Sequence, residues 1–269
     1  MSQPHDNWLL LSLPEIDQAR LRDELQRVRL EKGRPLYRPG EKAEYAYFPV
    51  DCLVSTIFTA PQAGAAEIAV TGREGVVGLE VLLNDIAIPR LAVVHTTGYA
   101  LRIRAEVLVQ ECAESRPLRE VFMRYMQALV SQMMQLSICV RHHDLQQQFC
   151  RLLLSRLDRV PGDQVEISHE LLADALGTSV DKVTRIAMDF WSNGLIEQQA
   201  GHIRVIDRDS LEGGACDCYH MVREQYDRLL PRWRMSGRDE RREHESILVR
   251  SLTGMAGFPE LAIEESAES

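Results

Sequence analysis

No stretch of this 269-residue sequence approaches the ~20 consecutive apolar residues of a membrane-spanning helix. Its first residues, MSQPHDNW, lack the basic segment and apolar core of a secretory signal, so a cytoplasmic protein without a membrane partner is expected. An excess of positive charge is missing too. Lys and Arg number 31 against 40 Asp and Glu, leaving a formal charge of −9 and a pI of about 5.4. That balance excludes a sequence-blind polybasic binder, but not a specific reader whose cations are confined to one face. The sequence contains no G-x-S-x-G, no phosphate-binding loop and no H-E-x-x-H, and no enzymatic activity is expected. Internal repeats are absent. Six cysteines (Cys52, Cys112, Cys139, Cys150, Cys216, Cys218) are scattered apart from one C-x-C pair. In a chain of this size without export they are expected to be buried thiols rather than a disulfide framework.

What is present falls into an α+β order. From Leu36 to Ile103, short runs with period-two stretches (Tyr45, Tyr47, Val54, Thr56, Phe58, Ile68, Val70, Val93, Leu101, Ile103) alternate with Gly and Pro punctuation. Strands of that size and spacing predict a small barrel or double-sheet roll. Leu21, Leu25 and Val28 predict a short amphipathic helix before it. Pro117 suits a first helical turn, and Leu118, Phe122, Tyr125, Leu129, Met133, Leu136 and Val140 then recur every three or four residues. This stripe is wider than one face of a small domain needs. Either the helix is deeply buried or it meets a second chain, and a homodimer helix with Phe122, Tyr125, Leu129, Met133 and Leu136 at the contact is the expectation. A second helix, Leu145–Arg159, ends at Val160-Pro161-Gly162-Asp163. The expected division is a sensor roll over 1–116, a dimerisation helix over 117–144, a DNA-binding domain over 145–231 and a polar extension over 232–269. The extension's acidic end, Pro259–Ser269, is expected to be disordered.

Residues 167–196 concentrate the functional signal. Ser168 can cap a helix that carries Glu170 in its first turn and runs to Leu176. Gly177 supplies a tight turn, and Ser179 caps a second helix with Asp181 in its first turn, ending near Asn193-Gly194. Leu172, Leu176, Val183, Ile186 and Phe190 are apolar and Ala173 is small, the pattern that locks two helices at a corner. Residues 196–206 then read as a hairpin with Gly201 at its tip, the wing. A winged helix-turn-helix held this way projects its second helix into the major groove of double-stranded DNA. Val180, Asp181 and Arg185 are the expected base readers: Val180 can meet a thymine methyl, Asp181 a cytosine amino group, and Arg185 a guanine or a phosphate. Thr178, Ser179, Lys182, Thr184, His202 and Arg204 are candidate phosphate contacts. Trp191 is expected to lie buried against the wing.

The order of roll, long helix and winged helix-turn-helix resembles the CRP/FNR family of bacterial transcription regulators from about residue 20 to 230. The resemblance is strongest at G-T-S-V-D-K-V-T-R-I (177–186), R-P-G-E (38–41) and G-R-E-G-V-V-G-L (72–79). The segment A-C-D-C-Y-H-M-V-R-E-Q-Y-D-R-L-L (215–230) resembles a subgroup of that family. It implies a cyclic-nucleotide-binding-like double-stranded β-roll, a homodimer on a palindromic site, a small-molecule effector and RNA polymerase as a partner. The effector pocket would involve Gly78, Leu79, Glu80, Arg90, Leu91 and Ala92. Here Leu79 stands where cyclic-AMP-binding members have a ribose-gripping Glu, and Leu91 where they have a phosphate-binding Ser. If the segment is a strand, Glu80, one residue later, points the other way. Cyclic AMP is therefore not the expected effector, and Arg90 is alternatively a surface or salt-bridged residue. Where the family starts its recognition helix with Arg-Glu, this chain has Val180-Asp181, so a different target sequence is expected.

No Cys precedes Cys52, which removes the N-terminal iron–sulfur ligands of some family members. Cys216-x-Cys218-x-His220 could form part of a soft metal site, but it lacks a fourth ligand, and a helix from Ala215 would point the two cysteines to opposite sides. His142 and His143 read as a solvated helix end. No metal, and no haem at His95, His142 or His143, is expected. The alternative reading is a metal- or haem-dependent sensor or redox protein using Cys and His ligands.

Overall fold

The computed structural model describes residues 7–60, 64–83, 90–199 and 201–230. The polar extension expected over 232–269 lies outside these residues.

Helices α1 (Trp8–Leu11) and α2 (Glu15–Arg22) lead into the roll. Of the three residues expected on one amphipathic helix, only Leu21 is helical, while Val28 belongs to strand β1 (Gln26–Leu30). The roll continues with β2 (Pro35–Tyr37), β3 (Tyr45–Pro49), β4 (Val54–Ala60), β5 (Gly64–Thr71), β6 (Arg90–Val94) and β7 (Gly98–Arg104). They form two antiparallel sheets, ordered β1-β7-β3 and β2-β6-β4-β5, the double-sheet roll expected from the punctuation. A 3₁₀ turn, Leu79–Leu83, connects β5 towards β6.

Helix α3 (Ala105–Glu114) is followed at once by α4 (Arg116–His142). Ser115 caps α4 by accepting from the Leu118 amide, with Pro117 in its first turn, where a missing N–H costs nothing. The inner face of α4 packs Leu118, Val121, Phe122, Tyr125 and Ala128 against Phe48, Leu101 and Ile103 of the roll. Phe122 and Tyr125 are therefore core residues of one chain and not dimer contacts. The reason is steric as well as hydrophobic. Gly75 of the roll leaves space for the Tyr125 ring, and a Cβ built on Gly75 would collide with the tyrosine oxygen.

A winged domain follows: α5 (Leu145–Leu157), β8 (Gln164–Glu166), α6 (His169–Leu176), α7 (Val180–Ser192), β9 (Ile196–Gln199), β10 (His202–Val205), α8 (Arg208–Gly214) and α9 (Asp217–Leu229). Strands β8, β10 and β9 form the wing sheet in that order, one strand more than the hairpin expected. Helix α9 returns to α4, where Tyr226 meets Tyr125 edge-on with ring centroids 6.3 Å apart.

Two ion pairs dock α5 and the turn that follows it on the roll. Arg159 Nε lies 2.8 Å from Glu74 Oε1, both side chains buried, and Arg156 Nη2 lies 2.5 Å from Glu67 Oε1. Glu74 also accepts from the Gly72 amide, and Arg159 donates to Gln132 of α4. The G-R-E-G run at 72–75 is thus where roll, α4 and α5 converge. A buried carboxylate with both a cation and an amide partner is retained at modest net cost, whereas removing one partner strands the other.

Candidate nucleic-acid interface

Residues 168–192 form the two-helix corner that the apolar pattern predicts. The Ser168 hydroxyl accepts from the Leu171 amide and caps α6. At its other end Gly177 adopts φ +61°, a left-handed cap that most side chains resist, and the Thr178 amide bonds back to the Ala173 carbonyl. Leu172, Ala173, Leu176, Val183, Ile186, Ala187 and Phe190 are buried together in one core. Phe190 packs edge-on against Phe149 of α5 at 5.4 Å. With its inner face held on three sides, α7 turns its other face outward.

That outer face carries Val180, Asp181, Lys182 and Arg185, all exposed. Arg185 Nε makes only a long contact of 3.4 Å to the Asp181 carbonyl in its own helix, which leaves the guanidinium fork directed outward. Thr178 and Ser179 precede the helix, where unpaired amides and the positive end of the dipole favour an anion. The Ser179 hydroxyl makes no capping bond to α7. The base-reading and N-terminal phosphate candidates therefore share one surface.

Three expectations fare differently. Thr184 Oγ1 lies 2.9 Å from His169 Nδ1, and His169 Nε2 lies 2.8 Å from Gln198 Oε1. This relay ties α6, α7 and the wing, so the Thr184 hydroxyl is engaged in positioning the recognition helix. Sequence spacing carries no signal for it, because its members stand 15 and 29 residues apart. Arg204 lies 3.6 Å from Asp163 and 3.9 Å from Glu197, so its charge is partly met within the wing, while His202 is exposed at the tip. Trp191 is 57% exposed and not buried against the wing. The inward turns of α7 are already filled by Ile186, Ala187 and Phe190, and Trp191 follows one position later on the helical wheel, turned to solvent.

In the roll, Gly78 takes φ +92° beside the Tyr45 carbonyl, and Leu79 and Ala92 are buried, with Leu91 half-buried. Glu80 forms an ion pair with Arg90. It does not point the other way, because the segment is a 3₁₀ turn and not a strand, so successive side chains lie about 120° apart instead of 180°. Arg90 is salt-bridged, the alternative already considered for it. Burial pushes the nearby Tyr37 hydroxyl pKa up, against the opposing pull of Arg90.

A second cluster lies at the far end of α4. Cys139, His143, Cys216 and Cys218 present ligand-type atoms that all fall within 4.8 Å of one another. Sequence reasoning misses this set in two ways. It places Cys216 and Cys218 on a continuous helix, whereas Cys216 is the N-cap of α9 with extended backbone (φ −74°, ψ 158°), so helical spacing does not apply. It also takes His143 for a solvated helix end, yet His143 Nδ1 lies 3.4 Å from Cys218 Sγ. His220 is outside the set and stacks edge-on against Tyr219. Of the other histidines named, His142 is exposed and His95 is buried beside Ser55.

Comparison with known proteins bears on the first of these surfaces. Residues 147–213 match the model of the Crp-like helix-turn-helix domain. The chain carries a Crp-like helix-turn-helix domain on a CRP/FNR-type fold. Solved structures with this architecture include FixK2 from Bradyrhizobium japonicum (TM-score 0.59, 15% identity, covering 71% of this chain and 98% of that one). Another is TTHB099, a CRP-family transcriptional regulator from Thermus thermophilus (TM-score 0.57, 20% identity, 70% and 96%). A third is the c-di-GMP-responsive global regulator CLP of Xanthomonas campestris (TM-score 0.56, 16% identity, 71% and 99%). No curated protein matches the chain significantly by sequence. The CRP/FNR-type fold thus extends from the roll through the wing. No helix among the described residues is long and apolar enough to cross a membrane.

Proposed function

We propose that the chain is a sequence-specific DNA-binding transcription regulator acting as a homodimer on a two-fold symmetric site. The observation that carries this reading is the outer face of α7, where Val180, Asp181 and Arg185 project from a helix whose inner face is fully packed. Such a helix enters the major groove as a rigid body, with Asp181 and Arg185 able to read base edges and Val180 a methyl group. Thr178, Ser179, Lys182 and His202 supply backbone contacts around it.

The dimer reading rests on the outer face of α4. Met123, Val130, Met134 and Ile138 are exposed large apolar side chains, and their spacing of seven, four and four residues keeps them on one helical face. Met133 is half-buried, while Leu129, half-buried too, packs against the core and is not part of that face. A seam of this period suits a second copy of the same helix, whose self-complementary packing would give the two-fold axis a palindromic site needs. RNA polymerase is the further protein partner such a regulator requires.

The effector is a small molecule other than cyclic AMP. Arg90, the cation available for a cyclic phosphate, is already paired with Glu80, and Leu79 and Leu91 line the same region without hydroxyl or carboxylate.

Selection from a random duplex library with the purified protein tests the reading. An enriched palindrome is expected, with binding that weakens steeply as salt rises. Arg185→Ala should reduce affinity for that palindrome by roughly 5- to 150-fold, and cyclic AMP should leave it unchanged. If no sequence is enriched, the winged helix contacts protein instead.

A further inference from the structure

The six cysteines divide into two groups by surroundings. Cys52, Cys112 and Cys150 are buried singly, and burial pushes their thiol pKa up to about 12, 12 and 11. They are inert packing groups. Cys139, Cys216 and Cys218 are instead buried together, with His143 completing the set.

The four residues come from two ends that the fold brings together. Cys139 and His143 stand four residues apart on the last turn of α4, hence on one face, with His143 as its C-cap. Cys216 caps α9 and Cys218 lies in its first turn, so the change of backbone direction aims both sulfurs at α4. Cys139 Sγ and Cys216 Sγ are 3.5 Å apart, and Cys218 Sγ and His143 Nδ1 are 3.4 Å apart. A tetrahedral zinc ion with sulfur at ~2.3 Å has ligand-to-ligand edges of about 3.8 Å, so the separations bracket what one ion needs. Four donor atoms confined within 4.8 Å suit a single ion and not a multi-iron cluster.

The surroundings match the charge of such a site. Three thiolates and a neutral imidazole around a divalent ion leave one negative charge. Gln135 Nε2 lies 3.1 Å from Cys218 Sγ and can donate to it. The Arg151 cation also lies beside Cys139, within reach of a hydrogen bond to its sulfur. Hydrogen-bond donors and a cation arranged around ligating sulfur are the usual outer support of a thiolate site.

We propose that Cys139, His143, Cys216 and Cys218 form a four-coordinate site for one borderline-soft divalent ion, zinc by its ligand set, clamping the end of α4 to the start of α9. All four positions are protein ligands, so the site is closed and structural, with no open position for substrate. It lies beside Asp144, the N-cap of α5, where the long helix gives way to the winged domain. The ion would therefore fix the joint between the dimer helix and the reading head. This proposal is independent of DNA binding.

The full-length protein, purified with a thiol reductant and without chelator, is expected to carry about one zinc per chain by elemental mass spectrometry. Cys216→Ser and His143→Ala should each lower that content at least tenfold, while Cys112→Ala retains it. Because a variant can lose metal by misfolding, wild-type protein stripped of metal and titrated with Co²⁺ gives a second readout. A thiolate-to-cobalt absorption that saturates near one equivalent and is displaced by Zn²⁺ is expected. Metal-free protein that gives no cobalt spectrum would overturn the proposal. So would a multi-iron cluster, or a Cys139–Cys216 disulfide in peptide maps of metal-free protein.

Discussion

Helices α4 and α7 are both amphipathic, both packed along one face into a core, and both expected to meet a partner with the other. Their outer faces differ in kind. The outer face of α7 presents Asp181, Lys182 and Arg185 beside the apolar Val180 and Met188, and its charged groups keep their hydration until a partner of matching polarity replaces it. The outer face of α4 presents Met123, Val130, Met134 and Ile138, groups that gain by leaving water altogether. One surface suits a polyanion with hydrogen-bonding base edges, the other a copy of itself. In both helices the inner face has the same task, which is to make the outer one rigid.

The largest effect should come from breaking that shared task. Tyr125→Ala empties a fully buried site between the roll and α9, and should cost about 3–5 kcal/mol in urea unfolding. Loss of both DNA binding and self-association would follow from unfolding alone. If the variant unfolded with unchanged midpoint, the assignment of Tyr125 to the core would fail.

The frame that carries both helices is also sensitive to acid. His95 is buried, and its pKa is lowered to about 4, first by burial and then by the nearby Arg156 charge; Glu67 and Glu166 pull the other way and Lys32 adds to the lowering. In the unfolded chain it titrates near 6.5, so the folded state binds fewer protons between the two values. The stabilisation from neutral His95 is therefore complete above about pH 6.5 and declines as pH falls towards 4, by at most about 3 kcal/mol. Denaturant midpoints measured over that window should fall, and His95→Gln should flatten the fall.

Separating the outer faces needs gentler changes. Met134→Glu puts a charge in the centre of the α4 seam, at a side chain 65% exposed in the single chain. It should weaken self-association by roughly 10- to 100-fold in sedimentation experiments, about 1.4–2.7 kcal/mol, without lowering monomer stability. Unchanged association would move the dimer contact elsewhere. Lys182→Ala, the smallest change, should weaken binding to all duplexes alike and reduce the salt slope by about one, in contrast to the sequence-dependent loss from Arg185→Ala.

The two helices also differ in how far they can be read from sequence. For α7, the cap at Ser168, the glycine at 177 and five apolar positions each demand the same local geometry, so position along the chain determines which side chains face outward. For α4, the apolar stripe runs round too much of the helix to say which part meets its own core. Periodicity alone puts Phe122 and Tyr125 at the partner, but the roll claims them because Gly75 leaves room for a tyrosine there. Trp191 departs in the opposite direction, since a large aromatic is usually buried but the inner positions of α7 are already taken. Glu80 departs because a 3₁₀ turn has a different angular step from a strand.

By itself, the sequence determined the roll, the long helix, the two-helix corner and the residues at the tip of α7, because these follow from local periodicity, caps and turns. Only the tertiary structure decided which face of α4 is free, that Arg90 is held by Glu80, that His169 joins Thr184 to Gln198, and that Cys139 and His143 meet Cys216 and Cys218. Those contacts join residues that no local rule relates. Burial of apolar surface brings them together, and the polar groups caught inside must then find partners wherever the packing leaves them.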